Sequence, residues 1–205
     1  MNDLPRREWH DLLGAWAVTP SLADEMFEGM RQHYTGPGRF YHTLDHIGAM
    51  LETVESLAAF ARNLNAVNLA VWLHDVIYDS RASDNEARSA EYAEQLCEKL
   101  SMPEGRLVAS LILKTKTHEA GDDADAQVLL DADLAILGAS ESAYRAYADQ
   151  IRQEYGWVPE PDFRMGRRQV LDRFLARPRI FHLLAHLEDP ARRKIAAEIS
   201  RLGAA

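Results

Sequence analysis

Residues 66–79 read AVNLAVWLHDVIYD, a strongly apolar run of helical length that ends in polar residues, with His74 and Asp75 side by side. A carboxylate at the end of such a helix is costly to bury unless something neutralises it. A divalent cation held by the imidazole and the carboxylate would do so. So would a backbone amide that hydrogen-bonds Asp75, with His74 merely flanking it.

The sequence on both sides is helical in pattern. SLADEMFEGMRQHY opens with Ser21 and Asp24, the spacing of a capping box, and TGPGRFY then interrupts the chain with two glycines and a proline. A helix is expected from about Thr43 to Arg62. After the apolar run come DNEARSAEYAEQLCEKL, PEGRLVASLILKTKTH, DADAQVLLDADLAIL, ESAYRAYADQIRQEY, PDFRMGRRQVLDRFLA and a last segment from Ile180 to Leu202. Each repeats apolar residues near the 3.6 period, separated by short Gly, Pro, Ser or Asp breaks. No strand pattern or fixed-period repeat is present. The expectation is one all-α domain over residues 1–205, a bundle of roughly eight to ten helices.

Composition narrows the partners. The 205 residues are 47% hydrophobic and 27% charged, ordinary for a globular chain with a core. No apolar stretch approaches the ~18 residues of a membrane span, and MNDLPRREWHD lacks the apolar core of a signal peptide. The single cysteine, Cys97, cannot form an internal disulfide, which suits a cytoplasmic protein. A formal charge of −9 argues against nucleic-acid binding. Residues 164–205 hold 10 Lys and Arg against 4 Asp and Glu, so the tail is +6 and residues 1–163 are −15. Such a basic tail fits packing across an acidic body, contact with a second subunit in a homo-oligomer, or a rim for an anionic substrate.

Other histidines and aspartates sit in comparable surroundings. FYHTLDHIGAM places His42 and His46 four residues apart, on one helix face. LLDADLAILG buries Asp131 and Asp133, which two-residue spacing sends to different faces, so at most one addresses a given metal. LKTKTHEAGDD offers His118 beside Lys114 and Lys116.

This order of motifs resembles the HD-domain superfamily of metal-dependent phosphohydrolases, a histidine, then His-Asp, then a distant aspartate on a helical bundle. The resemblance covers residues 39–138 through YHTLDH, HDVIYD, TKTH and DADLAILG, and is nearest to small bacterial HD proteins of unknown substrate. It implies an HD-type helical fold. By similarity to the cyclic-nucleotide phosphodiesterases, His46, His74, Asp75 and Asp133 are implied as ligands of a divalent ion (Mn, Ni, Fe, Co, Zn or Mg). His42 is implied as the acid that protonates the leaving oxygen. Similarity to the guanosine tetraphosphate hydrolases carries over Asp79 as a catalytic aspartate, although Tyr78 stands where they have glutamate.

The implied reaction is hydrolysis of a phosphate ester of a nucleotide or other small phosphorylated metabolite. The chemistry is consistent, since a metal lowers the pKa of water and offsets charge on phosphorus, and a placed histidine supplies the proton. Arg39, Lys114, Lys116, His118 and Glu86 are the candidates for binding substrate. Each has a plain alternative: solvated helix-end charges for the cations, a Ser83–Glu86 capping box, and a second-metal ligand for His118. His182 and His186 read as packing residues. The alternatives to hydrolysis are a diiron oxygenase on the same fold and a metal-containing binding protein without turnover.

Overall fold

In the computed structural model, which describes residues 4–203, every regular element is helical. Ten α-helices run in order: α1 (Leu4–Gly14), α2 (Pro20–Tyr34), α3 (Leu44–Ser56), α4 (Leu64–Leu73), α5 (Asn85–Lys99), α6 (Gly105–Thr115), α7 (Ala124–Gly138), α8 (Glu141–Glu154), α9 (Glu160–Ala176) and α10 (Glu188–Gly203). Two 3-10 turns, Ala58–Phe60 and Ala185–Leu187, complete them, and no strand occurs among the described residues. The all-α expectation holds.

Helix α4 is the axis of the core. From Ala66 to Leu73 all but Asn68 are buried, as expected of a helix that is apolar all round. Helices α3, α5, α6 and α7 pack around it. The hairpin of α1 and α2 closes one side, with Trp9 and Phe27 set edge-on to Trp72 at 5.5 and 6.3 Å.

Three carboxylates fix the ends of these elements. Asp123 caps α7, accepting from the amides of Asp125 and Ala126. Asp125 in turn accepts from the amides of Arg62 and Asn63 at 2.6 and 3.0 Å, which ties the start of α7 to the start of α4. At ~1.5 Å rise per residue, α4 then brings His74 and α7 brings Asp133 to a similar level, roughly 12–17 Å along. The same pair of bonds explains why the helix expected over 43–62 is shorter. With Arg62 and Asn63 committed to Asp125, α3 ends at Ser56 and the chain turns through Ala58–Phe60.

The third carboxylate is Asp131, fully buried in α7. It accepts from the amides of His182, Leu183 and Leu184 at 2.8, 2.6 and 2.9 Å. Glu188 takes the amides of Ile180 and Phe181. Residues 180–184 are therefore held by side chains and are not helical, contrary to the expected helix from Ile180, and the last helix begins at Glu188. His182 is half-buried, but His186 is exposed and not a packing residue.

The basic tail lies on its own body, α10 packing on α7 and α9. Its ion pairs are internal: Arg167 with Glu198, Arg168 with Asp172 and Arg192 with Glu188. Among the described residues no ion pair joins the tail to the acidic body, so apolar packing and the Asp131 anchor dock it. Neither expected capping box forms. Helix α2 is entered through Thr19 and Pro20 while Asp24 pairs with Arg6 and His10, and α5 is entered through Asp84, not Ser83.

Candidate metal centre

Four side chains from two helices and the turn after α4 converge at one end of the core. His46 comes from the first turn of α3, His74 and Asp75 from the turn that follows α4, and Asp133 from α7. Asp75 Oδ2 lies 3.0 Å from His74 Nε2, and Asp133 Oδ1 lies 3.3 Å from His46 Nε2 and 3.9 Å from His74 Nε2. One donor atom each from His46, His74 and Asp75 falls within 4.8 Å of the others. That spread suits a single ion about 2.0–2.2 Å from each donor after a few tenths of an ångström of closure.

The polar bookkeeping of the cluster points the same way. The Nε2 atoms of His46 and His74 are buried and have no hydrogen bond of acceptable geometry, despite the short distances to carboxylates. On the far side of its ring, His74 Nδ1 donates to the Val71 carbonyl at 2.9 Å, which leaves Nε2 as the lone-pair nitrogen of the neutral ring. Two imidazoles and two carboxylates form a donor set for a divalent ion of the zinc, manganese, iron or nickel kind.

The same groups share protons when no cation is bound. Burial pushes His46 below the ordinary imidazole value. Burial acts on His74 too, but the adjacent Asp75 carboxylate outweighs it and raises His74 to about 9. Against the same burial, the His74 charge holds Asp75 well below the carboxylate range. Burial acts against the Asp133 charge as well, but the hydrogen bond from His118 and the nearby imidazoles of His46 and His74 hold it well below the carboxylate range. A proton on His74 thus occupies the position where a cation would balance two carboxylates.

His42 stands beside this cluster without joining it. Its Nε2 is 3.8 Å from Asp75 Oδ2, while its Nδ1 is 2.6 Å from Glu154 Oε2. Glu154, at the last turn of α8, is the buried member of this constellation that motif reading misses. Its side chain is fully buried, Oε1 accepts from the amides of Phe40, Tyr41 and His42, and Oε2 also accepts from the Tyr78 hydroxyl at 2.7 Å. Burial opposes its charge, but the His42 hydrogen bond and charge, the amides and Tyr78 hold it at about 2. Burial would also lower His42, yet Asp75 and Glu154 together raise it above the ordinary value. The signal for Glu154 is present in the sequence: it continues the inward-facing stripe of Tyr144, half-buried Tyr147 and Ile151 at helical spacing.

Of the remaining candidates, Lys116, Glu86 and His118 reach the cleft that opens from the cluster. His118 Nε2 lies 3.0 Å from Asp133 Oδ2, and Lys116 lies 3.6 Å from Glu86 and donates to the Ser83 carbonyl. Three others do not serve there as expected. Asp79 is exposed in a turn, where its carboxylate accepts from the Arg81 amide, so it is not at the reacting centre. Lys114 is paired with Asp123 at 2.7 Å, away from the cleft. Arg39 is spent on the carbonyls of His42, Asp75 and Val76, which makes it a brace between the two motif segments and not a ligand for phosphate. Asp131, whose oxygens are committed to three amides, is not directed at the cluster. Among the described residues no helix is long and apolar enough to cross a membrane.

Comparison with family models, with curated proteins and with solved structures gives no match to this chain.

Proposed function

We propose that the chain is a metal-dependent phosphohydrolase of the HD type, acting on a phosphate ester of a nucleotide or other small metabolite. The observation that carries this reading is the pairing of two sites: four convergent ligands, and beside them a histidine whose far nitrogen is held by a buried glutamate.

His46, His74, Asp75 and Asp133 would hold the ion. When bound, it would supply Lewis acidity toward a phosphoryl oxygen and a water of lowered pKa. Hydrolysis also needs a proton for the departing alkoxide, and His42 is placed to give it. With Nδ1–H donated to Glu154, the exchangeable proton of the imidazolium is on Nε2, the nitrogen that faces Asp75 and the cleft. Its transfer to the ester oxygen leaves a neutral ring still held by Glu154, which stays ionised throughout. Tyr78 supports that carboxylate and packs against the His42 ring at 4.4 Å.

The test is elemental analysis of the freshly purified full chain, together with phosphate release from a panel of nucleotides and phosphorylated metabolites with Mn, Ni, Co, Zn or Mg added. One divalent ion per chain and turnover of at least one ester are expected. Absence of bound metal overturns the reading, whereas two irons per chain, with His118 as an added donor, would favour oxygenase chemistry. Metal without turnover of any ester would favour a binding protein.

A further inference from the structure

The cleft that opens from the metal centre has a volume of about 1150 Å³, at or above the upper end of the ~300–1,000 Å³ that holds a whole small-molecule ligand. A phosphoryl group at the cluster would leave most of it unfilled. The remainder is walled chiefly by one face of α9, where Phe163, Val170 and Phe174 recur at helical spacing, with Tyr155 and Trp157 from the preceding loop. Val170 is 42% exposed and Trp157 48%, so apolar surface inside the cleft is left to water.

The wall is held in place. Trp157 Nε1 donates to Ser80 Oγ at 2.9 Å and Arg81 lies over the ring, while Phe174 is set edge-on to His118 at 5.8 Å. A fixed apolar surface loses little entropy when a ligand covers it.

The charges of the cleft narrow the ligand further. Four cations line it, but Arg167 is committed to Glu198 and Tyr147, Arg177 to the carbonyls of Thr117 and His118, and Lys116 to Ser83 and Glu86. Arg173 and Arg177 have no ion pair among the described residues, and with Glu86 offset by Lys116 and the two cluster carboxylates by the ion, they share the cleft with Glu119 and Asp162. Two cations against two carboxylates leave no surplus positive charge beyond the cluster for a second or third phosphate. Resting on the hydrolase reading, we propose that the substrate is a monophosphate ester of a bulky apolar alcohol or phenol, its phosphoryl group at the cluster and its hydrocarbon body along α9.

The experiment is calorimetric binding of non-hydrolysable phosphonates to the manganese-loaded full chain. The series runs from methyl- through butyl- to octylphosphonate, with naphthylmethylphosphonate and ADP alongside. Affinity is expected to rise roughly fourfold per added methylene until the cleft is filled, with an increasingly negative heat-capacity change. Val170→Ser, which strips apolar surface from the wall without adding charge, should lower octyl- and naphthylmethylphosphonate affinity several-fold more than methylphosphonate affinity. A flat series in the native chain, or tighter binding of ADP than of the naphthyl compound, would overturn the proposal. Turnover is scored separately on the matching phosphate esters. A steep binding series without phosphate release upholds the ligand class and removes hydrolysis, whereas turnover without apolar preference does the reverse.

Discussion

His42 has two ring nitrogens with different duties, and Glu154 decides which is which. The buried carboxylate holds Nδ1–H at 2.6 Å, so the proton available to a leaving group is on Nε2. Replacing His42 with alanine removes that proton without touching the four proposed ligands. His42→Ala should therefore keep its metal and lose turnover by roughly 10²- to 10⁴-fold on an alkyl phosphate. The loss should be much smaller on nitrophenyl phosphate, whose phenolate leaves without help, and equal losses on the two would mean that His42 positions substrate instead. Glu154→Gln tests the same dyad from behind. The amide keeps the shape but withdraws a negative charge that helps raise His42, so the acid form of His42 should persist over a narrower range. The alkaline limb of the pH–rate profile should move to lower pH while metal content is unchanged, and an unmoved limb would count against the dyad.

At the level of elements, α7 shows how two aspartates two residues apart acquire unrelated tasks. Asp133 faces His46 and His118, whereas Asp131 faces the segment before α10 and secures three of its amides. Asp131→Ala would orphan those buried donors at about 1–3 kcal/mol each, so a loss of at least ~3 kcal/mol in urea unfolding is expected, with metal still bound by the folded fraction. Asp133→Ala should do the opposite, emptying the site with a smaller cost to the fold. Four residues beyond Leu134, Gly138 meets the returning chain: a Cβ there would lie 2.5 Å from Leu187 Cβ. Gly138→Ala should consequently destabilise by roughly 1–3 kcal/mol, read from the same unfolding curves, although alanine favours helices. The two-residue period showed from sequence that Asp131 and Asp133 must part company. It could not show that a loop some fifty residues downstream would claim one of them. The charged residues Arg39 and Lys114 were misassigned for a related reason, since side-chain type announces a cation but not the carbonyls or the Asp123 that consume it. Glu154 escaped because a glutamate near the end of a polar helix looks ordinary, and its carboxylate's partners other than Tyr78 lie more than a hundred residues upstream.

Across the whole molecule, the helices of the core gather carboxylates and imidazoles whose charge balance depends on what fills the space between them. Without a cation, His74 is held at about 9, above its ordinary 6.5, because folding places it against Asp75. Its contribution to stability is then full below about pH 6.5 and disappears as pH rises through about 9. Asp75, Asp133 and Glu154 are depressed, so their contributions are present above about pH 4 and are lost as pH falls toward the folded values, about 2 for Glu154. His46, pushed down by burial, acts against stability below about pH 6.5, so the chelated protein should be most resistant to urea near pH 6.5 and weaken toward pH 9. A divalent ion must displace the His74 proton to bind, which ties affinity to pH. Affinity should rise by up to tenfold per pH unit as pH approaches about 9 and level beyond it, and calorimetry near pH 7 in buffers of different ionisation enthalpy should find close to one proton released per ion. The ion then takes over the balancing charge, and the alkaline loss of stability seen after chelation should vanish in the loaded protein. An affinity that does not change between pH 6 and 8 would place the ion elsewhere, because no ligand set that includes His74 can bind without expelling its proton.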